Sequence, residues 1–296
     1  MDRTKMSKTE IEILKATEMG FCSGVRGAVE AVEKAIRQRG RLESLGGICH
    51  NQQVVDRLAA KGVETLESLD KVKGPTVVIT SHGVGPQVME RIKAKGLEII
   101  DTTCPFVRSA QRAAKKLADE GFFVVIFGDA HHVEVEGVLD WARGRGMASL
   151  DAELLCHTRK LPRRVAILSQ TTQSPARFAH FVSELLTCGL SEMREVRIVN
   201  TICDDTKERQ AAAAELARKA DMVLVIGGRN SANTKRLAEI CEAEGVETHL
   251  METAEELDQA WLADRHRIGV VGGASTPSES VEEVVAKIRE MAGDGS

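Results

Sequence analysis

The stretch "DTTCPFVRSAQ" (residues 101–111) sets a cysteine, Cys104, between a short apolar run (97–100, interrupted by Glu98) and a segment patterned as a helix. No CxxC or CxxH surrounds it, so the thiol has no metal-binding partner close by in sequence. The same arrangement occurs twice more. Cys22 and Cys203 also stand before helical segments, and a basic residue follows each cysteine four positions on: Arg26, Arg108 and Lys207. Twenty-eight residues after each cysteine comes a polar loop residue, His50 in "CHNQQVV", His132 in "AHHVEVEG" and Ser231 in "RNSANTKRL". A second polar turn follows in each copy, "SHGVGP", "SQTTQSP" and "GGASTPS", presenting His82, Thr171 with Thr172, and Ser275, with Pro86, Pro175 or Pro277 shortly after. A cysteine, a basic residue, an equal spacing and a second polar turn, shared three times, mark an internal repeat.

Between these points strands and helices alternate. The runs at 76–80, 122–128, 164–170, 221–228 and 267–273 are short, apolar and β-branched, as expected of strands buried on both faces. Helical segments lie between them, and those at 25–40 and 109–121 end in Gly, the usual residue just past a helix. The pattern predicts an α/β fold of three pseudo-equivalent lobes with mostly parallel sheets. The expected lobes are 1–104 with an N-terminal extension, 105–202, and 203–296 with a C-terminal helix. Ligands of open parallel sheets bind beyond the carboxyl ends of the strands, where both polar sets fall. Three such units facing one centre would gather three thiols and a polar ring there.

Composition narrows the function. A chain 43% hydrophobic and 28% charged is that of a globular protein, and a net charge of −4 argues against a general nucleic-acid binder. Tyr is absent and other aromatics are few, so the core rests on Val, Ile, Leu and Ala. No run reaches membrane-span length, and residues 1–13 alternate charge with hydrophobicity where a signal peptide would be apolar; the expected location is the cytoplasm. Seven cysteines, an odd number in a reducing compartment, argue against a disulfide framework. Cys49, Cys156, Cys188 and Cys241 fall outside the repeat, Cys241 on a helix face and Cys49 beside His50.

Spacing alone leaves Cys22, Cys104 and Cys203 three readings: buried core thiols, a three-cysteine zinc site with an open position, or a [4Fe–4S] cluster short of one ligand. The donors His50, His82, His132, Thr171, Ser231, Asn233 and Ser275 suit a phosphate-type anion, although such residues also favour turns for conformational reasons. In "HHVEVEG", an extended segment would turn Glu134 and Glu136 to one face in phase with His132, and a carboxyl there can donate protons; Glu134, nearer the turn, is the better candidate.

The motifs "GFCSGV", "HNQQVV", "SHGV", "DTTCP", "HHVEVEG", "SQTT", "NTIC", "NSAN" and "GAS", in order from about Gly20 to Ser278, resemble the 4-hydroxy-3-methylbut-2-enyl diphosphate reductases of the non-mevalonate isoprenoid pathway. The resemblance implies an oxygen-sensitive [4Fe–4S] cluster on Cys22, Cys104 and Cys203, with an open iron for the substrate hydroxyl. It implies two-electron reductive dehydroxylation to isopentenyl and dimethylallyl diphosphate, with a ferredoxin or flavodoxin as electron donor and neither nucleic acid nor membrane as partner. Glu134 would relay protons, with Thr171 and His132 near the reacting end. His50, His82, His132, Ser231, Asn233 and Ser275 would hold the diphosphate, and Thr172 would stand behind them. Two positions depart from the family pattern. Val133 replaces a proline, which restores an N–H and frees φ. Ala232 replaces a serine, and the lost hydrogen bond to a charged group would cost about 1.5–3 kcal/mol of binding. A passive iron–sulfur sensor or carrier would need the cysteines but not Glu134 or the polar ring. A three-cysteine zinc hydrolase would be colourless.

Overall fold

The computed structural model describes residues 11–158 and 160–293; the charged segment through residue 10 lies outside the described residues. Three four-stranded sheets, all parallel, carry the fold. The chain enters at β1 (Glu12–Lys15) and then runs α1 (Ser23–Arg39), β2 (Leu42–Leu45), α2 (Gln52–Ala60), β3 (Val63–Leu66), β4 (Thr76–Ile79), α3 (Pro86–Ala94) and β5 (Glu98–Asp101). A second round comprises α4 (Pro105–Asp119), β6 (Phe123–Phe127), α5 (Val133–Trp141), β7 (Gly146–Ser149), α6 (Ala152–Thr158), β8 (Arg164–Ser169), α7 (Pro175–Gly189) and β9 (Glu195–Ile198). A third comprises α8 (Asp204–Ala217), β10 (Met222–Ile226), α9 (Ala232–Ala243), β11 (Glu247–Met251), β12 (Arg267–Gly272) and α10 (Ser278–Ala292).

The strand orders are β3-β2-β4-β5, β7-β6-β8-β9 and β1-β12-β10-β11. Read from its other edge, the third sheet has the topology of the first two, with β1 in the slot that β5 and β9 occupy. This differs from the expected lobe of residues 1–104. Among the described residues no strand follows α10 to cover the free edge of β12; β1 covers it, pairing Glu12 to Lys15 with Arg267 to Val270. Ile13 and Leu14 pack on the two hydrophobic clusters flanking that sheet. In every round the cysteine of the repeat follows the strand in this fourth slot.

The strands anticipated from sequence are the central ones. β4, β6 and β10 are buried throughout, as are β8 and β12 beyond their first residues, whereas β1, β5 and β9 are partly exposed edges with short mixed sequences. Burial on both faces is what makes a strand read as an unbroken apolar run. Helix α1 stops at Gly40, whose φ of 81° a side chain would strain.

The chain divides into two compact units, residues 1–21 with 208–296 and residues 22–207, the boundary falling within α8. The first unit holds the third sheet and the second holds the other two. No helix among the described residues is long and apolar enough to cross a membrane.

Candidate functional site

Each sheet reverses its winding once, because its first crossover runs to one side and the next to the other. The reversals fall between β2 and β4, between β6 and β8, and between β10 and β12. A parallel sheet opens a crevice beyond its carboxyl edge at such a point. The predicted polar residues lie in these loops: His50 after β2 and His82 after β4, His132 after β6 and Thr171 after β8, Ser231 after β10 and Ser275 after β12.

In the unit of residues 22–207, the loops bring three imidazoles together. The ring centroids of His50 and His82 are 4.2 Å apart, those of His50 and His132 4.9 Å, and those of His82 and His132 6.1 Å. Burial, then the neighbouring His50 and His132, hold His82 well below its ordinary pKa of 6.5. His132 Nε2 is buried without a hydrogen-bond partner. Three imidazoles this close repel as cations, and a polyanion among them would reverse that repulsion.

His132 also caps α5, its Nδ1 accepting the N–H of Glu134 at 3.2 Å. The segment is therefore helical from Val133, not extended, which corrects the strand-like reading of "HHVEVEG". Cap chemistry wins over the alternation of Val and Glu. One consequence is that Glu134 and Glu136 do not share a face: Glu134 is buried at 3% exposure and Glu136 is exposed. The Glu134 carboxylate accepts two hydrogen bonds from Thr171, from its N–H at 2.8 Å and from its hydroxyl at 2.8 Å. The carbonyl of Thr171 in turn accepts the N–H of Cys203 at 3.0 Å. Thr172 lies beside this pair, at the next position of the loop.

Each cysteine of the repeat stands immediately before a helix. Cys22 caps α1, its sulfur accepting the N–H of Val25 at 3.4 Å; Cys203 precedes α8, its sulfur accepting the N–H of Thr206 at 3.3 Å; Cys104 caps α4. The first turns of these helices touch. A Cβ at Gly24 would fall 2.5 Å from Cys104 Sγ, so only glycine lets α1 approach that thiol. Ser23 donates its N–H (3.0 Å) and its hydroxyl (2.5 Å) to Asp205, joining the starts of α1 and α8. Burial raises the Cys203 thiol to about 11, with the charges of Cys22 and Cys104 adding to the effect. Burial also raises Cys104, and Cys22 and Glu134 contribute. Helix N-termini favour thiolates, but here desolvation wins until a cation shares the site. The loops are laced together behind the thiols: Cys104 donates its N–H to the Ser81 carbonyl (3.0 Å), and Ser81 donates its hydroxyl to the Ile48 carbonyl (2.8 Å), tying the His82 and His50 loops to Cys104.

The remaining cysteines differ. Cys49 is buried, with its thiol raised to about 12 by burial, and Cys22 is near enough to add to that. Cys241 is fully buried on α9. Cys156 and Cys188 are joined as a disulfide, with a Cα–Cα distance of 6.2 Å. The sequence argued against a disulfide framework, and this single bond arises because α6 and α7 pack side by side and bring the two residues within bonding reach.

In the unit holding the third sheet, Ser231 caps α9, its hydroxyl accepting the N–H of Thr234 at 3.2 Å. Asn233 accepts the N–H of Ala274 at 2.9 Å and so joins the loop after β10 to that after β12. Its Nδ2 is buried without a partner, leaving a donor at the start of α9. Ser275 is buried in the neighbouring loop.

Sequence reasoning missed Gly24, Ser81 and Asp205. A glycine two positions after a cysteine was a visible signal for a close approach; Ser81 and Asp205 carried none, because their roles depend on which loops meet.

A sequence-family profile described as LytB protein matches residues 13–289. The chain is similar to the 4-hydroxy-3-methylbut-2-enyl diphosphate reductase of Dehalococcoides mccartyi strain CBDB1, 48% identical over 93% of this chain and 97% of that one. It is similar to the Geobacter metallireducens protein of the same name, 42% identical over 95% and 98%. Among solved structures, the E-1-hydroxy-2-methyl-but-2-enyl-4-diphosphate reductase of Plasmodium falciparum superposes with a TM-score of 0.87 at 27% identity, over 94% of this chain and 87% of that one.

Proposed function

The chain belongs to the LytB family, an oxidoreductase family whose enzymes use an iron–sulfur cluster, and from that premise we propose that it removes the hydroxyl of 4-hydroxy-3-methylbut-2-enyl diphosphate reductively, giving isopentenyl and dimethylallyl diphosphate. Two electrons and two protons enter; one proton leaves in water and the other ends on carbon. A cytoplasmic ferredoxin or flavodoxin is the proposed electron source.

The donor set suits a [4Fe–4S] cluster on Cys22, Cys104 and Cys203. The ligands are soft thiols at three helix N-termini, and Gly24 leaves room beside Cys104. Among the described residues no three His, Cys, Asp or Glu are spaced to share a single ion. When bound, such a cluster supplies electrons singly and, at the iron without a protein ligand, a Lewis-acidic position.

The chain's own residues do the rest. His50, His82 and His132 bind the diphosphate; Ser231, Asn233 and Ser275, which the family resemblance implies for diphosphate binding, are donors suited to such an anion. Glu134 holds the proton. Ionised, its Oε2 accepts from the Thr171 hydroxyl; protonated, it donates to Thr171 Oγ1, so the pair accommodates either state without rearranging. Thr171 also fixes the carboxyl through its N–H, keeping the acid in register with Cys203.

The observation that carries this reading is the run from buried Glu134 through Thr171 to Cys203. The test is turnover of the allylic diphosphate by anaerobically reconstituted protein with a reduced dye. Glu134→Gln is expected to lose about 100-fold or more in rate while keeping its iron. Wild-type turnover by that variant would remove Glu134 from the proton path. Serine at Cys22, Cys104 or Cys203 should lower iron content, and serine at Cys49, Cys156, Cys188 or Cys241 should not; the reverse pattern would reassign the ligands.

A further inference from the structure

We propose that the unit of residues 22–207 carries a second anion site, apart from the histidine cluster, that takes a short-chain organic diphosphate. A cavity of about 180 Å³ opens between α4, the turn after β4, and α5. One wall is cationic. Arg108, Arg112 and Lys115 succeed one another on α4 at intervals of four and three, which puts them on one helix face. Arg108 is shared with Asp101 at 2.9 Å and Lys115 with Asp119 at 2.7 Å. Arg112 has no acidic partner among the described residues, so its charge is uncommitted. The lining also has an apolar part, Val84, Met89 and Trp141, with the indole fixed by donating to the Val84 carbonyl at 3.1 Å.

Gln111 also lines the cavity. It is only 6% exposed, and its Nε2 has no hydrogen-bond partner. A buried amide donor without an acceptor is destabilising, and an anionic oxygen would satisfy it. Guanidinium groups match phosphate oxygens in pairs, while the hydrocarbon part of the lining suits a short alkyl or alkenyl chain. The volume is below that of pockets for larger organic ligands, which limits the chain to about five carbons. Asp101, the acidic member of the lining, accepts the N–H (3.0 Å) and hydroxyl (2.6 Å) of Thr103, the residue before Cys104. An anion drawing Arg108 from Asp101 would therefore act on the segment that carries this thiol. The choice of isopentenyl diphosphate as ligand rests on the proposed reaction, of which it is a product.

The test uses the holoprotein with Trp261→Phe, leaving Trp141 as the single remaining tryptophan of the chain's two. Its fluorescence is titrated with isopentenyl diphosphate, inorganic pyrophosphate and isopentenol. A saturable change with isopentenyl diphosphate is expected, with pyrophosphate about tenfold weaker and isopentenol inert. Arg112→Glu, on an exposed position of α4, should weaken binding about tenfold or more without altering turnover or KM for the allylic substrate. An unresponsive Trp141, an unchanged titration in Arg112→Glu, or equal affinity for pyrophosphate would overturn the proposal. Because the indole and not turnover is read, a protein unable to reduce the allylic diphosphate would sink the functional reading and leave this titration decisive.

Discussion

Single atoms decide how the helix starts meet. At Gly24 a methyl group would lie 2.5 Å from Cys104 Sγ, well inside contact distance. Gly24→Ala must displace either α1 or the thiol. We expect it to lower iron content while the protein remains folded; full iron incorporation, measured by metal analysis after anaerobic reconstitution, would show that the turn yields freely. The imidazoles give a second prediction. His82 has its folded pKa below 6.5, chiefly through burial, so it is neutral in the free protein at neutral pH. Its contribution to stability is complete above about pH 6.5 and falls as pH drops toward the folded value, because the unfolded chain binds the proton first. A diphosphate favours the cation. Binding of pyrophosphate near pH 7 should then take up protons, seen as a buffer-dependent calorimetric heat, and affinity should fall as pH rises. Equal heats in buffers of different ionisation enthalpy would exclude protonation of His82 on anion binding.

Elements explain the two departures from the family pattern. Val133 is the first residue of α5, where a backbone N–H has no helical acceptor in any case. Proline there is convenient but not required, since His132 still caps the helix and Glu134 is still held by Thr171. Ala232 is likewise the first residue of α9, and the cap is made by Ser231, so the helix start is intact although one hydroxyl is gone. Strand β1 shows an element whose importance exceeds its length. It fills the open edge of β12, and Ile13 packs on the core under the third sheet. Ile13→Asp should destabilise the unit that holds this sheet by roughly 2–4 kcal/mol, from lost apolar burial and a carboxylate set against the core. Denaturant unfolding with an unchanged midpoint would mean that β1 is dispensable.

At the scale of the whole molecule, one repeated unit is used three times. Its cysteine follows the fourth-slot strand, and its two polar loops flank the point where the sheet reverses its winding. This repetition was legible because it obeys fixed spacings: His50, His132 and Ser231 lie at the same offset from Cys22, Cys104 and Cys203. The central strands were legible because burial on both faces leaves an unbroken apolar run, as in β6 and β10. The edge strands were not: β3, β7 and β9, like the interior β2, have four residues each, with mixed side chains that periodicity cannot separate from loop.

By itself the sequence determined the α/β class, the central strands other than β2, the three cysteines with their offsets and the polar residues at the strand ends. Those are set by local pattern, which any reader of the chain can count. Only the tertiary structure decided that β1 completes the third sheet, that α5 begins at Val133 and buries Glu134 against Thr171, that Cys156 and Cys188 bond, and that Gly24 admits Cys104. Each of these depends on which distant segments are brought into contact, and hydrogen bonds and packing between segments far apart in the chain leave no periodic mark on either partner.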